Sequence, residues 1–322
     1  MSDTTQPPAI LVAGPTASGK SALALHLAER LGGVVINADS MQVYRELRIV
    51  TARPTEADLA RAPHALYGVR PAAEAGTVAW WRQAALAEME AARAAGRVPI
   101  LCGGTGMYFA ALTEGLAAIP PVPEAARAEA RRLLAEDGPA TLHGRLAALD
   151  PATAATLRPS DSQRLARAYE VVTGTGRGLL AWQAEGGTAP APWRFAGVLL
   201  DPPRDVLRAA IAARWHAMLA DGAVEEVRAL GALGLDPALP AMRAHGVPEL
   251  LAQLAGGMTL EAASARAILV TGQYTKRQAT WFRHHALAPP DRMRILSARW
   301  DEIVQYSQSL LEYFAVFVET SR

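Results

Sequence analysis

At 322 residues with a net charge of +1, 51% hydrophobic and 20% charged, the chain is long enough for one large or two unequal domains with a core that needs no staples. This composition excludes disordered, collagenous and disulfide-rich classes, and the single cysteine, Cys102, excludes an internal disulfide and any cysteine-rich zinc module. No apolar run approaches the length of a membrane span, and Met1–Pro8 lacks the features of a secretory signal, so a soluble cytoplasmic protein with no membrane partner is expected.

In chain order, Ala9–Ala13 (AILVA) is a continuous apolar run that reads as a buried parallel strand, and a helix with one apolar side follows from Gly19 to Leu31. Between them, Gly14-Pro15-Thr16-Ala17-Ser18-Gly19-Lys20-Ser21 fits the pattern G-x-x-x-x-G-K-[ST] in the strand-to-helix setting that pattern requires. Its glycines let backbone N–H groups curl around a phosphate at the helix N-terminus, Lys20 reaches the oxygens, and the Ser21 hydroxyl is placed to ligate Mg²⁺. The loop predicts a diphosphate or triphosphate site without choosing between ATP and another phosphorylated substrate.

Val34–Ala38 (VVINA) is a second strand, ending at Asp39. Ligands of a doubly wound sheet sit beyond the carboxyl ends of its strands, which places Asp39 and the phosphate loop on one rim. The Asp39 carboxylate suits a Mg²⁺ ligand or a general base, or else it caps a following helix. Gln42 either completes that cap or presents its amide to an adenine edge. Val98–Cys102 (VPILC) is a third strand, running into Gly103-Gly104-Thr105-Gly106 and a helix through Leu116. That turn adds a third phosphate-compatible loop to the same rim.

From 119 to 193 the pattern is helical alone, bounded by Pro120-Pro121-Val122-Pro123 and the loop Gly186–Pro192, with eight Arg against eight acids. Phe195–Leu200 and Met293–Leu296 are further strands, and an amphipathic helix from Asp301 to Glu319 closes the chain. The expected fold is α/β: a P-loop NTPase-like parallel sheet with helices on both faces, built from 1–118 and 194–322, plus a helical insertion domain at 119–193.

The charge is unevenly spent. Of the 32 basic residues only Lys20 and Lys276 are lysines, and Arg replaces Lys as a surface charge but not as a compact point charge on phosphate. Ser264–Arg299 holds seven Lys/Arg and one acid, Asp291, a local net charge of +6. Within it Ser264–His285 reads as a helix with Ile268, Gly272, Thr275, Ala279, Phe282 and Ala286 on its packing side. Gln273, Lys276, Thr280 and Arg283 lie on another side, beside Arg277 and His284; this suits phosphate contacts along a nucleic acid, or a solvated helix face. Trp281 and Phe282 read as core.

Together these pieces resemble the bacterial tRNA dimethylallyltransferase (isopentenyl-tRNA transferase) family. The resemblance spans nearly the whole chain: GPTASGKS at Gly14–Ser21, DSMQVY at Asp39–Tyr44, VPILCGGTGMY at Val98–Tyr108, Arg158–Arg177, Met218–Leu230, and TKRQATWFR at Thr275–Arg283. It implies transfer of a dimethylallyl group from dimethylallyl diphosphate to the N6 amine of adenosine 37, just 3′ of the anticodon, in tRNAs reading codons that begin with U. By the same resemblance Gly14–Ser21 holds the diphosphate with Mg²⁺ on Ser21, and Asp39 and Thr105 are catalytic, Asp39 taking the N6 proton. Asp39, Ser40, Met41, Gln42 and Thr105 face the reacting nucleotide. Arg127, Gln163, Arg164, Leu165, Ala166, Arg167, Arg243, Lys276, Arg277, Gln278 and Arg283 are the remaining tRNA-facing positions. The implied partners are the tRNA anticodon stem-loop and dimethylallyl diphosphate, and the implied state is a monomer. Val50 and Val247 depart from the family pattern, which usually has Gly and Tyr there.

Two rival enzymes share parts of this pattern: a small-molecule P-loop kinase and a prenyltransferase of free adenine nucleotides. A non-catalytic RNA-binding or nucleotide-switch protein is the third alternative. The kinase reading gives no reason for the basic carboxy-terminal helix or for KRQATWFR; salt-dependent tRNA binding and the effect of Asp39→Ala separate the other two.

Overall fold

The structure, a computed structural model, describes residues 6–300 and 307–320. Its strands are β1 (Pro8–Ala13), β2 (Gly33–Asn37), β3 (His64–Ala65), β4 (Val98–Gly103), β5 (Leu116–Ala117), β6 (Gly187–Thr188), β7 (Arg194–Leu200) and β8 (Met293–Leu296). Its helices are α1 (Lys20–Leu31), α2 (Glu56–Arg61), α3 (Val78–Ala94), α4 (Gly106–Thr113), α5 (Glu124–Glu136), α6 (Gly138–Leu149), α7 (Pro151–Ala154), α8 (Ser162–Thr175), α9 (Leu179–Glu185), α10 (Arg204–Ala220), α11 (Ala223–Gly231), α12 (Val247–Leu254), α13 (Leu260–His284) and α14 (Ser307–Glu319). The start of the expected closing helix, 301–306, lies outside the described residues.

The chain folds into two compact units, Met1–Thr113 with Ala191–Arg322, and Glu114–Pro190. In the first, a parallel sheet runs in the order β3-β2-β4-β1-β7-β8. Its central strand β1 is sealed on both faces, and this is why it is apolar without alternation. Ile10 and Val12 pack with Leu23 and Leu27 of α1 and Phe314 of α14; Leu11 and Ala13 join Trp81 of α3, Phe109 of α4 and Phe282 of α13. Each such large side chain contributes about 2–3 kcal/mol by burial. Every strand-to-helix turn of this sheet therefore opens at one edge, where the candidate site lies.

Val50 and Val247, two of the departures from the family pattern, are both buried, whereas at His64-Ala65, where two His are usual, both residues are partly exposed. Val247 opens α12, and the Val50 N–H donates to the Glu226 carboxylate at 2.9 Å, alongside the N–H groups of Arg48 and Ile49. Both positions contribute packing or turn geometry.

The second unit has its own core of Ala130, Leu133, Leu142, Leu146, Leu165 and Ala168, supplied by α5, α6 and α8. Here the expected organisation needs two corrections. The helix after Gly106 stops at Thr113 and does not run through Leu116; and the stretch read as loop at Gly186–Pro192 holds β6, which pairs antiparallel with β5. The ladder is tight enough to dictate its glycines. A Cβ on Gly115, whose φ is +94°, would lie 1.9 Å from Thr188 O, and one on Gly187 would lie 1.8 Å from Leu116 O.

Candidate active site

The loop between β1 and α1 is shaped by left-handed residues. Gly19 sits at φ 88°, and Ala17 reaches φ 67° despite its Cβ, a conformation that costs energy and persists only where surroundings impose it. Those surroundings are visible: Ser18 N donates to Pro15 O at 3.2 Å, Trp300 N donates to Ser18 O at 3.3 Å, and Arg299 Nε donates to Ala17 O at 3.1 Å. The Ser18 hydroxyl is buried without a partner among the described residues. Lys20 is 9% exposed and donates to Pro15 O at 3.3 Å. Burial pushes its pKa down, while Asp39 and Cys102 oppose that shift and Arg214 adds to it.

Asp39 is held by the residue two before it. Asn37, fully buried at the end of β2, accepts the Asp39 N–H at 2.8 Å through Oδ1 and donates through Nδ2 to Asp39 O at 3.0 Å and Leu66 O at 3.1 Å. No helix follows Asp39, so its carboxylate is not a helix cap; Oδ1 accepts the Met41 N–H at 3.0 Å in a local turn. No protein hydrogen bond reaches Oδ2 among the described residues. Gln42 forms no capping box either, because its Nε2 donates to Thr51 O at 2.8 Å and Ala52 O at 2.9 Å.

The Gly103–Gly106 turn locks against this one. Thr105 N donates to Ala38 O at 3.2 Å, Ser40 N donates to Thr105 Oγ1 at 2.9 Å, and Thr105 Oγ1 donates to Ser40 Oγ at 3.3 Å. Each glycine permits one close approach. A Cβ on Gly103 would lie 2.0 Å from Ala38 O, one on Gly104 2.1 Å from Gln278 Nε2, and one on Gly106 2.2 Å from the Trp281 ring.

Asp39 is the shared negative charge of the neighbourhood. It opposes the downward shift that burial imposes on Arg214 of α10, and it adds to the upward shifts of Tyr108 and Tyr274, whose main cause is burial. The Tyr274 phenol is pushed up to about 12, with Arg277 and a hydrogen bond to Thr105 acting against the rise. Burial likewise raises the Cys102 thiol to about 12, so Cys102 stays protonated and unreactive at the base of the rim. Arg214, Asn37 and Tyr274 are site residues that no sequence pattern singles out.

On α13 the side chains of Lys276, Arg277 and Arg283 are exposed, as is Arg243 before α12. Phe282 is core, and Trp281 is partly buried, stacked on His285 at 4.2 Å between ring centroids. Gln278 corrects the expectation of an RNA-facing residue: it is 4% exposed and points inward, where its amide is consumed by Thr16 and Gly104. In the second unit Gln163, Arg164 and Arg167 are exposed on α8, while Ala166 and Arg127 are half-buried. Leu165 needs the same correction, since it is fully buried in that unit's core and cannot touch RNA.

Beside the start of α1, a cavity of about 420 Å³ is lined by Ser21, His26, Arg53, His64, Tyr67 and Trp300, among others. Among the described residues no group of three or more His, Cys, Asp or Glu could hold a metal ion, and no helix is long and apolar enough to cross a membrane.

The family model for IPP transferase matches residues 42–285. The tRNA dimethylallyltransferase of Acidiphilium cryptum is 59% identical over 314 residues, covering 98% of this chain and 95% of its own length. The protein of the same name from Gluconacetobacter diazotrophicus is 60% identical over 298 residues, covering 92% and 90%. Among solved structures, the full-length tRNA isopentenylpyrophosphate transferase of Bacillus halodurans superposes with a TM-score of 0.68 at 30% identity, over 98% of each chain. A eukaryotic dimethylallyltransferase acting on tRNA superposes with a TM-score of 0.80 over 97% of this chain and 80% of its own; at 24% identity it speaks to the fold.

Proposed function

The chain belongs to the tRNA dimethylallyltransferase family, and from that premise we propose that it prenylates N6 of adenosine 37 in tRNAs reading codons that begin with U, using dimethylallyl diphosphate. The observation that carries the mechanism is the Asp39 carboxylate: one oxygen is pinned by Met41 N–H, the other accepts no hydrogen bond among the described residues, and both stand on the rim that holds buried Lys20.

The N6 amine is a poor nucleophile, because its lone pair is delocalised into the ring. Placement and a base therefore matter more than covalent catalysis. The C1–N6 bond forms as the C1–O bond of the allyl diphosphate breaks. The leaving diphosphate settles on Lys20, Arg214 and the N–H groups at the start of α1, and the N6 proton passes to Asp39 Oδ2. Thr105 keeps the Ser40 turn, and with it Asp39, in register. The adenine must leave its stack to reach this rim, as bases do in other base-modifying enzymes.

Mg²⁺ fits the donor set: Ser21 is exposed at the second position of α1, and a phosphate-loop Mg²⁺ takes one such hydroxyl with substrate and water oxygens. When bound, it offsets charge developing on the diphosphate. In the first unit, exposed Arg243, Lys276, Arg277 and Arg283 are phosphate-binding positions for tRNA; in the second, considered by itself, Arg127, Gln163, Arg164 and Arg167 are such positions. The enzyme acts as a monomer in the cytoplasm, where its tRNA resides.

The test is incubation with Mg²⁺, dimethylallyl diphosphate and unmodified tRNA, followed by nucleoside mass spectrometry. A dimethylallyl increment on adenosine that disappears in Asp39→Ala is expected. Product on free adenine nucleotides alone would move the chain to the small-molecule prenyltransferases, and ATP consumption without prenyl product would favour the kinase reading.

A further inference from the structure

Gln278 stands within α13 between the exposed cations Lys276, Arg277 and Arg283, yet its side chain turns away from them into the sheet edge. Its Oε1 accepts the Thr16 N–H at 2.9 Å and the Thr16 hydroxyl at 3.3 Å; its Nε2 donates to Gly104 O at 2.9 Å. A backbone N–H can only donate and a carbonyl can only accept, so the amide has one orientation that satisfies both partners. The absence of a Cβ on Gly104 makes the room for it.

The two loops so joined follow β1 and β4, which are neighbours in the sheet. One carries the phosphate-loop residues and the other carries Thr105. The Thr16 N–H is committed to Gln278 and the Ser18 N–H to Pro15, so the N–H groups left for an anion are the loop's others, among them those at the start of α1.

We infer that Gln278 is a positioning residue for the diphosphate: a buried amide that sets the first turn of the phosphate loop and holds it in register with the Thr105 turn, and not an RNA contact. The inference rests on the reading of Gly14–Ser21 as the diphosphate site. It ties the helix whose outer side bears the basic residues to the loop that holds the small substrate. A side chain that only fills space would not single out one substrate's KM.

The experiment compares Gln278→Met, Gln278→Glu and Lys20→Ala for steady-state constants with dimethylallyl diphosphate and for tRNA affinity by filter binding. Gln278→Met keeps the length and removes both hydrogen-bonding functions, stranding a buried donor and a buried acceptor. It should raise the diphosphate KM roughly 10- to 100-fold while leaving the tRNA Kd and its salt dependence unchanged. Gln278→Glu keeps the acceptor for Thr16, loses the donor to Gly104 and adds a negative charge beside the diphosphate. It should raise the same KM, and it reads the outcome if the Met variant does not fold. A raised tRNA Kd, or an unaltered diphosphate KM in a folded variant, overturns the inference. Lys20→Ala separates the premise: no change in diphosphate KM there overturns the phosphate-loop reading itself, whereas a rise there with none in the Gln278 variants removes only the role of Gln278.

Discussion

Asn37 and Asp39 grip each other twice, through Asn37 Oδ1 with Asp39 N–H at 2.8 Å and Asn37 Nδ2 with Asp39 O at 3.0 Å. The main chain of the proposed base is thus held by a side chain that is itself fully buried and also bonded to Leu66 O. Asn37→Ala should free the turn, and a displacement of about 1 Å at a reacting group costs on the order of 100-fold in rate. We expect kcat to fall roughly 10- to 100-fold with tRNA affinity retained, measured by single-turnover prenylation and filter binding. Asp39→Asn removes the base outright and should cost about 10²- to 10⁴-fold. An Asn37→Ala enzyme with full kcat would detach the turn from catalysis.

Two glycines make opposite predictions from one kind of observation. A Cβ on Gly103 would sit 2.0 Å from Ala38 O, backbone against backbone, so Gly103→Ala should destabilise the protein by about 3 kcal/mol. Gly272, inside α13, has nothing within 4 Å of its would-be Cβ. Gly272→Ala should instead stabilise by about 0.5–1 kcal/mol through helix propensity. Denaturant unfolding of the two variants checks both signs.

The phosphate loop is legible in the sequence because strand, loop and helix are contiguous, and Asp39 because strand ends share one rim. Gln278 is not legible as a clamp: Thr16 lies 262 residues away along the chain and Gly104 lies 174 away. Helical spacing puts it with Thr275 and Phe282 on the packing side, and only the family resemblance assigns it to RNA. Arg214 is hidden among 30 arginines, with no local pattern to separate a half-buried guanidinium at the site from a surface one. The β5–β6 ladder escapes for another reason. Two-residue strands carry no alternation, and their determinants are the missing side chains of Gly115 and Gly187. Leu165 shows the converse error, an apolar residue carried into a functional segment although helical spacing places it with Ala168 and Val172 in a core.

The exposed cations of α13 bear on RNA affinity through salt. If Lys276, Arg277 and Arg283 contact phosphates, replacing each by Ala should weaken tRNA binding and lower the slope of log K against log salt by about 1 per residue. The diphosphate KM should be unaffected by Lys276→Ala and Arg283→Ala. Arg277→Ala should have a further effect, because its guanidinium lies 5.3 Å from the centroid of Tyr274, which neighbours Thr105. Binding measured from low to moderate salt decides; slopes that do not change would place the RNA elsewhere.

Lys20 gives a pH dependence whose sign can be worked out. Burial holds its folded-state pKa below the ordinary 10.5, so the unfolded chain binds more protons between the two values. Stability therefore rises with pH across that window; below it, with both states protonated, the full cost of burying the charge is present. In the absence of diphosphate, Lys20→Met should be more stable than the parent by about 1 kcal/mol near neutral pH, the familiar exchange of stability for function. That advantage should shrink as pH climbs toward 10.5 and vanish above it, while prenyl transfer is lost at every pH. Thermal melts of both proteins from about pH 6 to about pH 10.5 measure this, within the range where about 1 kcal/mol shifts Tm by a few degrees. An advantage that grew with pH would mean that Lys20 is stabilised in its charged form by Asp39 more than it is penalised by burial, and the order of those two effects would have to be reversed.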